Sequence, residues 1–418
     1  MTNRVPRVKA KARNGRARQK AGAGGRPAEV AMFRFDPFSP EIDADPFPAY
    51  RRLREEFPCF WSEEANAWIL SRFADIVAAL NDWRTYSSTG GNNVAELPNR
   101  AGATLGTTDP PRHDQLRALL QHAFLKRNLD SLTGPIRDMA RQAAGGLRDR
   151  KRFDFVGDFC GGLTVKILSA ALGLPPGDEE AVRQNAIMMV QTDPVIRAKG
   201  PQHVAAFEWM KTYAAGVIAE RRARPKNDLI SHFAQAEIAG DRLTERELLM
   251  TTTTLIMAGV ESLGGFLSMF GLNLADLPDV RRAVVANPAL LPDAMEESLR
   301  YNTSAQRFRR RLTEDVELHG QRMHAGDFVC LAYGSGNRDD RQYPNADVYD
   351  LARKPRGHLG FGGSTHACLG STIARLATVI AMEEFHKVVP GHHRVDRDLP
   401  WMPSATFRSP LRLELEAA

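Results

Sequence analysis

From Asp109 to about Asp276 the apolar residues recur at helical spacing almost without pause, and only "LPPGD", "TDPVIRAKGP" and "ARPKND" interrupt them. Spacing of three and four gives each segment one apolar stripe, which has to be buried against a neighbour. A chain committed to helix over so long a stretch is mainly α, with a small β region confined to what lies outside it. There, "DPFPAYRRLREEFP" predicts a short helix after Pro, "CFWSEEANAWILSR" alternates as a strand pair, and "FADIVAALND" returns to helical spacing. Between Glu314 and Tyr333, "DVELHG" and "DFVCLAY" alternate and predict a small sheet. Residues 87–106, "SSTGGNNVAELPNRAGATLG", are polar and Gly-rich and predict a long loop, a length that often carries function.

The chain has 418 residues, enough to bury roughly three quarters of its unfolded surface without a disulfide or metal staple. Cys59, Cys160, Cys330 and Cys368 form no CxxC pair, so a reducing cytoplasm is expected. No uninterrupted run of about 18 apolar residues occurs, and no membrane span is expected. Net charge is +6, yet residues 1–30 hold nine Lys or Arg against Glu29 alone, which leaves the rest of the chain at −2. The basic character therefore belongs to the tail, and the folded body is not expected to bind nucleic acid. Rich in Gly, Ala and Arg, residues 1–30 are predicted to be a disordered basic tail, too poor in Ser for a transit peptide.

Residues 244–276 are the longest helical candidate, opened by a capping box in which Thr244 and Glu247 satisfy each other's amides. Within it lies "TTTTLIMAGVESLGGF", whose Gly259, Gly264 and Gly265 each cost about 1 kcal/mol against Ala. Something has to approach the backbone closely there, or bend it. The second anomaly is "FGGSTHACLG", residues 361–370, where Cys368 stands between a Gly-rich loop and a last long helix expected to run to about Val388. A thiol at a helix start meets the dipole and free N–H groups, which lower its pKa and favour the thiolate. Such a sulfur is a nucleophile with His366 as candidate base, a metal ligand, or simply structural. The surrounding glycines let a flat ligand or backbone amides come close to it.

"FGGSTHACLG" resembles the haem-binding loop of the cytochrome P450 family, FGxGxHxCxG, through Phe361, Gly362, His366, Cys368 and Gly370, with Ser364 in place of the second glycine. "EESLR" sets Glu297 and Arg300 three apart on one helix face, and "YDLAR" supplies Arg353, similar to the family's paired glutamate and arginines. "MAGVESL" resembles the family's AGx(D/E)T groove, with Ser262 where threonine is usual. "DPPRHDQLR" is similar to DxPxHxxxR, and "RRLTEDVEL" matches a strand whose register points to Arg310. The resemblance spans residues 35–415, and "FRSPLRLEL" fits the family's last sheet.

The resemblance implies one cytochrome P450 domain over residues 31–418, a triangular prism of about a dozen helices around a buried haem, and a monomer. It makes Cys368 the axial ligand of the iron in haem b, with His113, Arg117, Arg310 and His366 on the propionates. Ala258, Gly259, Gly360, Phe361, Gly362, Gly370 and Ala374 would cradle the ring, and Glu297, Arg300 and Arg353 would be structural. Glu261 and Ser262 would relay protons to bound O2; serine keeps the hydroxyl but loses the methyl that fixes its rotamer, so delivery is expected to be leakier.

The implied activity is that of a haem-thiolate monooxygenase, which inserts one oxygen atom from O2 by hydroxylation or O-dealkylation of a small aromatic or terpenoid substrate. With no GxGxxG and no cysteine cluster, electrons from NAD(P)H are expected through a separate reductase and ferredoxin, docking on a patch that includes Arg117, Lys126, Arg127 and Arg375. By alignment the substrate pocket draws on Thr254, Met257, Ala258, Ala305, Gln306, Phe308, Thr406 and Phe407, plus the loop from Asn92 to Arg100, although each of these also reads as plain packing. Two other readings stay open: a peroxide-driven peroxygenase, expected to lack the acid and alcohol pair, and a non-catalytic haem protein or gas sensor.

Overall fold

The long helix forms as Glu245–Asp276: Glu247 N–H donates to Thr244 Oγ1 at 3.2 Å and Thr244 N–H to Glu247 Oε2 at 2.9 Å. The structure, a computed structural model, describes residues 33–121, 124, 130–238 and 240–418. The predicted basic tail, Lys126 and Arg127 lie outside them. Residues Asp36–Ala418 form one compact unit.

The long helix runs between two apolar clusters, which is why so little of it meets solvent. Around its C-terminal half, Phe155, Phe159, Phe270, Leu299 and Phe385 join it to helices Thr133–Gly145, Gly162–Leu172, Leu291–Tyr301 and Ser371–Val388. Around its N-terminal half, Phe207, Met210, Ile230, Ile256 and Met257 join it to helices Glu179–Val190, Pro201–Ala223 and Leu229–Gln235. No unbroken apolar run occurs, yet Phe155–Leu172 and Glu245–Asp276 are each long and apolar enough, by length and composition, to cross a membrane. Their most apolar windows are 56% and 67% buried within the fold, as the apolarity of core helices requires.

Cys59–Ser62, Ala67–Leu70 and Phe328–Leu331 lie where the alternation put them, whereas Arg152–Asp154, Glu237–Ile238 and Asp241–Arg242 correct the reading of residues 109–276 as nearly all helix. Cys59–Ser62 pairs antiparallel with Ala67–Leu70, and a five-stranded sheet continues through Phe328–Leu331 and Phe308–Leu312 to Tyr86–Ser87. Within Phe308–Leu312 three arginines follow one another, and the two-residue period of a strand separates them: Arg310, opposite Val329, is buried, whereas Arg309 and Arg311 take the other face. A second sheet joins His392–Arg394, Glu414–Ala417 and Arg152–Asp154. The loop of residues 88–104 closes over one side of the interior without regular structure.

Candidate active site

An internal cavity separates the middle of the long helix from the loop that carries Cys368. The helix contributes Thr254, Met257, Ala258, Gly259 and Ser262 to its wall. Gly360, Phe361, Gly362, His366, Cys368, Gly370 and Ala374 form the facing side, while Ala305, Phe308, Arg310 and Phe407 close an end. Most of this lining is apolar, as small-ligand sites usually are.

The Cys368 N–H donates to Phe361 O at 2.9 Å, which folds the loop back on itself and turns the side chain to the cavity. The expected acidification of the thiol is corrected: burial raises its pKa, and the Gly370 backbone N–H, Arg117 and Arg375 only oppose that rise. The last helix starts at Ser371, so the sulfur stands before its first turn, on a side chain that is open to the cavity. Ser364 takes φ +53°, the left-handed region that glycine occupies without strain.

Beside the loop His113, Arg117, Arg310 and His366 converge, with the exposed Asp114 carboxylate at the edge of the group, against His113. His366 is driven down to about 2 by burial and by Arg310, His113 and Arg117 around it. Its ring meets that of His113 edge-on, with centroids 4.6 Å apart, and its Nε2 lies 3.1 Å from Ser88 Oγ. His113 Nδ1 is 2.9 Å from Asp114 Oδ1, but its buried Nε2 has no partner among the described residues. Arg310 and His366 reach the cavity wall; His113 and Arg117, expected beside them, are not among the lining residues. Arg117 instead donates Nη1 to Ala367 O at 3.0 Å and so braces the cysteine loop. A positive cluster with an orphaned buried nitrogen fits a ligand bearing carboxylates, and the sulfur and apolar walls beyond fit a flat ring with a metal at its centre.

On the helix side Ser262 Oγ donates to Ala258 O, four residues back, and stays on the cavity wall. Glu261 points the other way. Ser409 Oγ donates to its Oε1 at 3.3 Å, and burial pushes the carboxyl up to about 8 against the pull of Ser409 and Arg183. Gly265 makes this possible, because a Cβ there would lie 3.2 Å from Glu261 Oε1 and 3.3 Å from Ser409 Cβ. Gly259 borders the cavity, yet the space its missing Cβ leaves belongs to Leu168, whose Cδ1 would be 2.5 Å away. The long helix needs glycine there for its neighbouring helix as well as for the cavity.

Glu297, Arg300 and Arg353 meet as one buried network. Arg300 donates Nε and Nη2 to the Glu297 carboxylate at 2.8 and 2.6 Å, Arg353 Nε adds a bond at 3.2 Å, and Arg300 Nη1 reaches Asn337 O and Ala346 O. One residue earlier, Glu296 accepts from Arg375 at 2.6 Å and lies 2.9 Å from His358 Nε2, tying this helix to the last one. Arg375, a candidate for the partner-docking patch, also stacks 4.4 Å from the Phe361 ring centroid.

Two expected pocket residues, Gln306 and Thr406, are not in the cavity wall. Gln306 is fully buried between Tyr50, which donates to its Oε1, and Thr303 O, which accepts from its Nε2. Thr406 Oγ1 accepts from Val94 N–H. Alternation at the Ala305–Phe407 bridge explains both, since their neighbours Ala305 and Phe407 take the cavity side. Sequence reasoning missed Tyr333, Leu168, Thr303 and Ser304, all lining residues. For Leu168 the only signal was its place on an apolar helix. Tyr333 closed the alternating segment read as strand, but it opens the short helix Tyr333–Gly336 instead.

Known proteins give the same picture. A profile of the cytochrome P450 family matches residues 180–385. The putative cytochrome P450 123 of Mycobacterium tuberculosis (strain ATCC 25618 / H37Rv) is 32% identical over 379 residues, covering 89% of this chain and 94% of its own. Nocardicin C N-oxygenase of Nocardia uniformis subsp. tsuyamanensis is 32% identical over 90% of this chain and 97% of its own. Among solved structures, the cytochrome P450 PksS of the Bacillus subtilis 168 bacillaene polyketide synthase superposes with a TM-score of 0.85 at 28% identity, covering 92% of this chain and all of that one. Helix-rich architecture, an enclosed cysteine loop and full-length similarity thus agree, and the chain belongs to the cytochrome P450 family.

Proposed function

We propose that this monooxygenase binds haem b through Cys368 and inserts one oxygen atom from O2 into a small aromatic or terpenoid molecule, with electrons delivered by a separate ferredoxin and reductase. Haem, once bound, supplies oxygen activation and oxygen insertion. The observation that carries the reading is the cavity itself, with the Cys368 side chain on one wall, Ser262 on another, and beside it four basic side chains, of which His113 keeps a buried nitrogen without a partner among the described residues.

The protein's own residues hold and pass protons. At pH 7 the Glu261 carboxyl, pushed up to about 8 by burial, carries its proton on an oxygen that faces Ser409 and Arg183. Ser262, next in sequence, presents its hydroxyl to the cavity while bonded to Ala258 O. The pair spans the helix: protons are taken up on the outer side at Glu261 and offered on the inner side at Ser262 Oγ. Phe308, Phe407 and Met257 exclude water from the substrate end. Arg310 would neutralise and His113 and His366 would hydrogen-bond the haem carboxylates, while Arg117 keeps the cysteine loop closed.

The test is spectroscopic and catalytic. The reduced protein with carbon monoxide is expected to show the absorption typical of thiolate ligation, and Cys368→Ala to abolish it. Product formation coupled to NAD(P)H with surrogate ferredoxin and reductase supports the monooxygenase; product from peroxide alone would replace it with a peroxygenase.

A further inference from the structure

Deep in the loop of residues 88–104, Arg100 lines the cavity at 2% exposure. Glu96 accepts from its Nε at 2.5 Å and from its Nη2 at 2.8 Å, and Asn92 Oδ1 also accepts from Nη2. Nη1 alone has no hydrogen-bond partner among the described residues. Asn93 shares the same carboxylate: its backbone N–H donates to Glu96 Oε2 at 3.2 Å, its side chain borders the cavity, and its side-chain amide has no hydrogen-bond partner among the described residues. Glu96 is the carboxylate shared by more than one cation. Arg100 and Arg309 both act to lower its pKa, and Lys199, pushed down to about 7 by burial, is opposed by Glu96. Two arginines, Arg100 and Arg309, act on this one carboxylate and leave this corner of the interior short of negative charge, while the Phe308, Phe407, Leu168 and Met257 surfaces remain apolar.

We infer that Arg100 and Asn93 form an anchor for a substrate carboxylate, so that the enzyme takes apolar acids and holds them by the acid group. Glu96 and Asn92 fix the guanidinium so that its remaining N–H groups are preorganised for the ligand; an Arg to carboxylate contact is of the strong, charge-assisted kind. This rests on the cavity's being the substrate site of a haem monooxygenase, and the test separates the two.

The haem-loaded full-length protein is titrated with naphthalene-2-carboxylate, cyclohexylacetate and decanoate and with their primary carboxamides, read by the haem absorption shift and, independently, by equilibrium dialysis. Acids are expected to bind about tenfold tighter than their amides. Replacing Glu96→Gln together with Arg100→Gln removes the charge without stranding a buried carboxylate and should abolish the preference. Asn93→Ala, which leaves the ion pair intact, should reduce it to about threefold. Equal affinity for acid and amide, failure of every acid to bind, or a preference that survives the double substitution overturns the anchor; if the double variant does not fold, an unchanged preference in Asn93→Ala does so. The carbon monoxide spectrum of the unliganded protein reads the haem assignment separately and does not depend on any of these outcomes.

Discussion

Ser364 holds a backbone conformation that costs a residue with a Cβ about 1 kcal/mol, at a position where the family's motif has glycine. Ser364→Gly should therefore raise the thermal midpoint of the haem-loaded protein by a stabilisation of about 1 kcal/mol, less the extra freedom glycine gains when unfolded; a lower midpoint would show that the serine side chain contributes more than its strain costs. Glu261 makes a second residue-scale prediction. Its carboxyl is protonated below about 8, so the coupled rate should fall as pH rises through that value. Glu261→Gln keeps the shape but cannot exchange a proton; it should slow product formation about 100-fold and flatten the alkaline limb. A variant that keeps the wild-type pH profile would remove Glu261 from proton delivery.

At the scale of elements, Glu297 shows why one buried ion network can decide whether the cysteine loop is positioned at all. Its carboxylate collects Arg300 from its own helix and Arg353 from a later loop, and Asp350 N–H as well, at 2.9 Å. Glu297→Gln would leave two guanidinium groups without their counter-charge in a site of zero exposure for Arg300. A loss of about 3 kcal/mol or more is expected, seen as a lower midpoint of thermal unfolding and poorer haem retention; wild-type stability would mean that the carbonyls of Asn337, Ala346 and Val348 hold Arg300 by themselves. This network was legible in the sequence because a helix fixes the spacing of Glu297 and Arg300 and the motifs follow in order. The strand pair, the long helix and its capping box were legible for the same reason, as local periodicity and local capping. What escaped depended on contacts between distant elements. Nothing near Gly259 announces Leu168, nor anything near Glu261 the approach of Ser409 from 148 positions later. Gln306 and Thr406 were misplaced because alignment gives the strand but not which side of it faces the cavity. The direction of the Cys368 shift was missed because a single sequence shows the amides of a helix start but not how protein packed around the thiol from distant segments takes water away from it.

At the scale of the whole molecule, the long helix is the seam between two apolar clusters, and the cavity opens along its middle, where Leu168, Met257 and Leu263 line the gap. The stability of the first cluster therefore sets how well that wall is held, and it contains a titratable weakness away from the cavity. His386 and His392 stack with centroids 6.1 Å apart beside Phe385, and neither ring nitrogen of His386 has a partner among the described residues. Burial, with Arg281 adding to it, drives His386 to about 4 and His392 to about 3, below the ordinary value of 6.5. The unfolded chain thus binds protons that the folded one refuses: both histidines support folding fully above 6.5, and that support is lost as pH falls toward 4 and then 3. Each pH unit in that window costs about 1.4 kcal/mol per ring. His386→Leu fills the site with an apolar side chain of similar size and removes one ring from the account, so its acid unfolding midpoint, followed by far-ultraviolet circular dichroism, should lie about half a pH unit below the wild type's while stability at pH 8 changes little. A variant whose acid midpoint does not move would mean that the histidine is hydrated in the folded protein and titrates as it does when unfolded.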